Sequence, residues 1–127
     1  PFAFTKPTPV GDALDETHQP FIYGHGYDPC WVLNPPGIEQ TPAASVYHSE
    51  TGRFLEVFTD KPGVQFYTGN FLDEALSSTE TNFFNRSGLC LETQYFPDSP
   101  NQKNFPSIVL EQGKKYKSKT TFKFSVK

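Results

Sequence analysis

The sequence predicts an all-β chain, an antiparallel β-sandwich. Three observations carry that reading. Aromatic residues make up 16% of the chain, 13 of them Phe, against only 35% hydrophobic residues in all. Large flat side chains suit packed sheets. Twelve Pro and 9 Gly are spread along the length, as turns between short strands require. The C-terminal stretch alternates with period two, and no amphipathic helical period is found.

Taken in order, residues 1–23 (PFAFTKPTPVGDALDETHQPFIY) hold four prolines and no periodicity, which predicts a covering arm or long loop. A short strand is expected at Cys30 to Leu33, closed by Asn34-Pro35-Pro36-Gly37. Ala43 to His48 and Arg53 to Thr59 flank Ser49-Glu50-Thr51-Gly52 and read as a hairpin. GVQFYT, residues 63–68, follows as a strand. Residues 70–87 form a polar excursion, with a helical turn expected near Asp73 to Leu76. Gly88 to Phe96 is the next strand, residues 97–101 a loop, and Ser107 to Leu110 a further short strand. From Tyr116 the even positions (Tyr116, Ser118, Thr120, Phe122, Phe124, Val126) form a face expected to be buried. The odd ones carry Lys117, Lys119, Lys123 and Lys127, a solvated face rather than a polyanion site in a chain of net charge -3.

The same numbers exclude several function classes. The acidic balance argues against nucleic acid, and there is neither a membrane-crossing apolar run nor a signal-like leader. Methionine is absent and the chain opens on Pro1, so a processed chain or a piece of a longer one is expected. Cytoplasmic and secreted or periplasmic locations both stay open. Cys30 and Cys90 have no metal-ligand spacing, and two buried free thiols are favoured over a disulfide. Gly24-His25-Gly26 is too little for a dinucleotide fingerprint, no nucleophile elbow exists, and His18, His25 and His48 are too scattered for zinc. Asn85-Arg86-Ser87 fits a glycosylation sequon, a triplet that chance supplies often. No metal and no cofactor is expected.

More telling are polar residues inside apolar runs. In GLCLETQYFPD, residues 88–98, Glu92 sits mid-strand, and an unpaired buried carboxylate is costly. Alternation places Cys90, Glu92, Gln94 and Phe96 on one face. Asp28 lies in GYDPCW, and Gln65 is enclosed by Val64, Phe66 and Tyr67. Each alone reads as a structural hydrogen bond. Three together, with aromatic neighbours, resemble the lining of a sugar site, where carboxylates and amides take hydroxyls and rings stack on C–H faces.

These motifs resemble one family. Gly26-Tyr27-Asp28, GVQFYTGNF (63–71) and CLETQ (90–94), with SETGRFLEV (49–57), FPDSPNQKNFPSIVLEQGKKY (96–116) and the opening PFAFTKPTPVGDALD, are similar to the aldose 1-epimerases, or galactose mutarotases. The order is kept over nearly the whole chain, 1–127 reading as the C-terminal part of one domain. The resemblance implies a mutarotase-like supersandwich, incomplete in this chain, and cofactor-free exchange of the α and β anomers of a free hexose. It implies Glu92 as general base, with Asp28 and Gln65 binding sugar. After Gly-Tyr-Asp the family continues with His-Asn, whereas this chain has Pro29-Cys30-Trp31. The family's general acid, a histidine of its N-terminal half, has no counterpart motif here. The implied partner is therefore the N-terminal part of the same protein or a second chain. A sugar-binding protein without turnover is the alternative, and a glycosidase using Asp28 and Glu92 ranks last.

Overall fold

The computed structural model describes residues 3–14, 17–33, 41–72 and 82–127. Its strands form two antiparallel three-stranded sheets, consistent with an incomplete all-β sandwich. The first sheet runs β1 (Cys30–Val32), β4 (Gly63–Tyr67), β5 (Cys90–Gln94). The second runs β2 (Ala44–His48), β3 (Arg53–Thr59), β6 (Thr120–Val126). The chain divides into two compact units, Pro1–Pro29 with Phe66–Cys90 and Cys30–Gln65 with Leu91–Lys127.

The first unit is held by aromatic packing. Tyr27 is fully buried, stacked on Phe66 at 5.1 Å and edge-on to Phe21 at 4.8 Å. Phe4 joins at 5.5 Å from Tyr27. Burial raises the Tyr27 phenol above its ordinary value. Within residues 1–23, expected as a covering arm or long loop, Phe4 and Phe21 thus supply rings to this packing, and an α-helix, α1 (Gln19–Gly24), follows a 3₁₀ turn at Val10–Ala13. The helix is one and a half turns long, too short for periodicity to reveal. Pro20 sits in its first turn, where the missing N–H costs nothing, and His25 ends it in the left-handed region at φ 53.

In the second unit the hairpin forms as expected. His48 faces Arg53 across a loop that closes when the Gly52 N–H donates to the His48 carbonyl at 2.9 Å. Gly52 has φ 68, and a Cβ there would lie 2.6 Å from the Lys127 carbonyl oxygen, so glycine is required. β3 pairs with β6 along its full length, Arg53 against Val126 through Thr59 against Thr120. The Thr120 hydroxyl links the sheets, 3.1 Å from Thr59 and 2.7 Å from Thr93 of β5.

Four expectations change. Ser107 to Leu110 is exposed and forms no strand, because the Ser107 hydroxyl takes the Val109 N–H at 3.2 Å that a ladder would use. The last strand begins at Thr120 rather than Tyr116, since Asp60 captures the Lys119 amide at 2.9 Å and the Ser118 hydroxyl at 2.7 Å. Its apolar face is open: Phe122 is 50% exposed and Phe124 and Val126 77% each, although their alternation is as read. Both cysteines are free thiols, but Cys90 is exposed and only Cys30 is half-buried. The helical turn expected near Asp73 to Leu76 lies outside the described residues.

Two lysines of the odd-numbered face are engaged by neighbours. Lys123 pairs with Glu56 at 2.8 Å, and the Lys127 ammonium lies 3.4 Å from the Phe54 ring centre.

Candidate functional site

Three positions were expected to carry function, and the structure places them in two units. Asp28 belongs to the first, Gln65 and Glu92 to the second.

Around Asp28, backbone geometry does the positioning. The Thr68 N–H donates to the Tyr27 carbonyl at 3.1 Å and the Phe66 N–H to the Pro29 carbonyl at 3.1 Å, fixing residues 27–29 as extended chain. Alternation then buries Tyr27 and leaves Asp28 exposed. A polar clamp holds the turn before it. Asn70 donates through Nδ2 to the Tyr27 carbonyl at 2.9 Å, the Thr68 hydroxyl donates to Asn70 Oδ1 at 2.6 Å, and the Tyr27 N–H donates to the Thr68 hydroxyl at 3.1 Å. Gly26, at φ +151, leaves room for this: a Cβ there would sit 2.2 Å from Asn70 Oδ1. Thr68 and Asn70 belong to the GVQFYTGNF motif, and the sequence assigns them no role. Their signal was two polar residues following a buried strand, positions that become buried and hydrogen-bonded.

In the second unit, Cys30 of β1 faces Gln65 of central β4. Gln94 of β5 donates through Nε2 to Gln65 Oε1 at 3.0 Å. Burial pushes the Cys30 thiol up, and the Gln94 side chain partly draws it back. Cys30, Gln65 and Gln94 therefore share one sheet face. Glu92, two residues before Gln94 in the same strand, takes that face too. Leu91 and Thr93 take the other, where Thr93 meets β6. Gly63 keeps the face flat, since a Cβ there would touch Cys30 Sγ at 3.0 Å and the Phe96 ring at 3.1 Å.

Glu92 is exposed. The apolar run around it had suggested a buried carboxylate, but β5 withdraws only its Leu91 and Thr93 side and the Gln94 end from solvent. Among the described residues no ion pair or hydrogen bond engages Glu92.

Other polar features lie elsewhere. Lys61 is buried, its ammonium 4.6 Å from the Tyr95 ring centre and 4.5 Å from that of Tyr116, and it donates to the Tyr116 hydroxyl. That bond, with one involving Ser118, lowers the Tyr116 phenol below its ordinary value. Ring faces here stand in for water around a cation. A cavity of ≈ 260 Å³ is lined by Phe58, Thr59, Lys119 and Thr121, none of them an expected site residue. His25 packs edge-on to Phe71, and His48 shares a hydrogen bond with the Thr51 hydroxyl. Among the described residues no group of three or more His, Cys, Asp or Glu could hold a metal ion, and no helix is long and apolar enough to cross a membrane.

The second unit thus sets an exposed carboxylate, Glu92, on the strand face that carries two mutually hydrogen-bonded amides, Gln65 and Gln94. The chain belongs to the aldose 1-epimerase family, whose family model, described as aldose 1-epimerase, matches residues 1–123. It is 44% identical over 126 residues to galactose mutarotase of Rattus norvegicus and 43% identical to that of Homo sapiens, each alignment covering 98% of this chain and 35% of the relative. To aldose 1-epimerase of Escherichia coli (strain K12) it is 36% identical over 101 residues, 78% of this chain and 29% of the relative. The chain spans about a third of the length of the curated relatives it matches.

Proposed function

We propose that this chain carries the general base and part of the sugar-binding surface of an aldose 1-epimerase acting on a free hexose such as galactose or glucose. Glu92 takes the proton from the anomeric hydroxyl. The C1–ring-oxygen bond breaks as an acid delivers a proton to the ring oxygen. The open-chain aldehyde turns about C1–C2, and the reverse transfers close the ring on its other face. Both transfers are needed near neutral pH, and each positioned acid or base typically contributes about 10²- to 10⁴-fold. Gln65 holds a sugar hydroxyl and takes no proton; the resemblance gives Asp28 a sugar-binding role of the same kind. The acid comes from the rest of the family's length, or from a second chain. None of the three histidines lies in a motif that resembles the family's acid.

The observation that carries this reading is the shared face of β4 and β5. It brings Gln65 beside Gln94 and turns Glu92 to the same side with no described partner engaging it. The family match supports the reaction class, because relatives bear the names galactose mutarotase and aldose 1-epimerase.

The test is polarimetry of fresh α-galactose with the full-length protein. Glu92→Gln should remove at least about 100-fold of the catalysed rate, the lower end for loss of a general base. Sugar binding by calorimetry should persist within a few-fold. A mutant that turns sugar over at the unmutated rate refutes the assignment. Binding without any mutarotation in the unmutated protein favours the non-catalytic carbohydrate-binding alternative.

A further inference from the structure

We infer that Tyr67 is a further sugar-contacting residue, whose hydroxyl donates to a sugar oxygen adjacent to the hydroxyl that Asp28 takes. The inference rests on the reading of Asp28 as a sugar ligand and adds a residue to it.

Tyr67 stands directly across from Asp28 in the first unit. The Thr68 N–H donates to the Tyr27 carbonyl and the Phe66 N–H to the Pro29 carbonyl, each at 3.1 Å. In an antiparallel pairing such bonds bracket two residues that exchange none themselves, here Asp28 and Tyr67. A pair of that kind brings its Cα atoms to about 4.5 Å and sets both side chains on one face. The flanking residues settle which face it is. Tyr27, Phe66 and Thr68 are buried on the opposite side, whereas Asp28 is exposed and Tyr67 half-buried.

The hydrogen bonding of the phenol then decides what it can offer. The Phe71 N–H donates to the Tyr67 hydroxyl oxygen at 3.1 Å, the only hydrogen bond of that hydroxyl among the described residues. It occupies an oxygen lone pair and leaves the O–H proton to be given away. It also ties the far end of the ring to the chain four residues on, so the donor is held in place before a ligand arrives. A carboxylate offers about four lone-pair sites and no proton, so Asp28 keeps room for a ligand hydroxyl beside its other contacts. An acceptor and a donor turned to one side match two hydroxyls on neighbouring ring carbons. The first gives its proton to Asp28, and the second receives one from Tyr67.

Tyr67→Phe keeps the ring and removes the proton. The Phe71 amide that it releases lies at the exposed surface, where water takes the place of the phenol, so the fold should survive. The experiment measures kcat and KM for anomer exchange by the full-length protein, Tyr67→Phe and Asp28→Asn. The substrates are galactose and its three analogues lacking the hydroxyl at C2, C3 or C4. For galactose, Tyr67→Phe should raise KM about 3- to 10-fold and change kcat less than about 2-fold. With one analogue the substitution should cost nothing further, because the contacted oxygen is already gone. The loss in Asp28→Asn should vanish in the same way with the analogue altered at the adjoining carbon. An unchanged KM for galactose, a loss confined to kcat, or an equal fold loss on galactose and all three analogues overturns the contact while leaving the epimerase reading intact. The equal loss is what a tyrosine that merely caps the Phe71 amide would give. Masking of both variants by one analogue, or by analogues altered two carbons apart, overturns the paired arrangement. No mutarotation by the unmutated protein overturns the epimerase reading, and this inference with it.

Discussion

Gly26→Ala is the substitution whose cost the structure specifies most fully. The backbone there has φ +151, a conformation that side-chain-bearing residues rarely adopt. The new methyl would lie 2.2 Å from Asn70 Oδ1, 2.7 Å from Asn70 Cγ and 3.0 Å from the Thr68 hydroxyl. Asn70 is buried and cannot swing into water, so it must leave the clamp. Two hydrogen bonds go with it, the one it makes to the Tyr27 carbonyl and the one it receives from Thr68. Backbone strain costs about 1–3 kcal/mol and each lost hydrogen bond about 1 kcal/mol, for a total near 3–5 kcal/mol. That is a large share of the roughly 5–15 kcal/mol that stabilises an ordinary domain. Urea unfolding followed by circular dichroism reads it directly. Asn70→Gly removes the same two bonds and the obstructing atoms, so the double variant should be about 2 kcal/mol more stable than the sum of the single losses predicts. A single-variant loss under about 1 kcal/mol, or strict additivity of the pair, contradicts the clamp as drawn.

Two further outcomes follow from the second unit. Partial burial pushes the Asp60 carboxyl up, but hydrogen bonds from Ser118 and the Lys119 amide and the Lys61 charge together leave it below the ordinary carboxylate range. A depressed folded value means that the stabilisation is complete above the unfolded value, about 3.9, and is lost as pH falls below that toward the folded value. Hydrogen exchange at the Lys119 amide should therefore stay slow, after correction for intrinsic rates, down to about pH 4 and quicken below it; protection that is flat through this range contradicts the linkage. The open apolar face of Phe122, Phe124 and Val126 should make the 127-residue chain self-associate when it is prepared alone. Phe124→Lys should shift its sedimentation toward monomer, and a chain that is already monomeric at tens of micromolar would speak against that surface being sticky.

The hairpin was legible because local chemistry fixes it. Four loop residues, one of them a glycine at φ 68, leave the flanking alternation a single register. Period two in the last strand was legible for the same reason, but its burial was not. Alternation states that two faces differ, not that either is covered. Ser107 to Leu110 failed in the opposite way. Its β-branched and aliphatic residues suit a strand, yet the Ser107 hydroxyl takes the needed N–H locally. α1 was missed because fewer than two turns carry no periodic signal, although Pro20 and Gly26 bracket it as helix punctuation should. At the candidate site, Glu92, Gln65 and Gln94 could be assigned to strands and faces from parity alone. The hydrogen bond between two glutamines 29 positions apart could not, because it depends on which strands are neighbours.

That long-range bond lies on the strand face that parity gives to Glu92. An exposed carboxylate on a strand is unremarkable, since long polar side chains commonly stand in water and sample many rotamers. Such freedom works against catalysis, which needs reacting groups held in one geometry before the substrate arrives. The amides beside Glu92 are not free in that sense. Gln94 is tied to Gln65, and Gly63 admits Cys30 and Phe96 by having no side chain of its own. Ordering long side chains costs up to about 2 kcal/mol each, and here that cost is met on folding rather than on binding. Opposite this face, Thr93 anchors β5 to β6 through Thr120, so the strand bearing the carboxylate is fixed from behind. The proposed reading of this face as one wall of a ligand site therefore rests on an exposed carboxylate standing on a braced strand beside two amides that already hydrogen-bond each other.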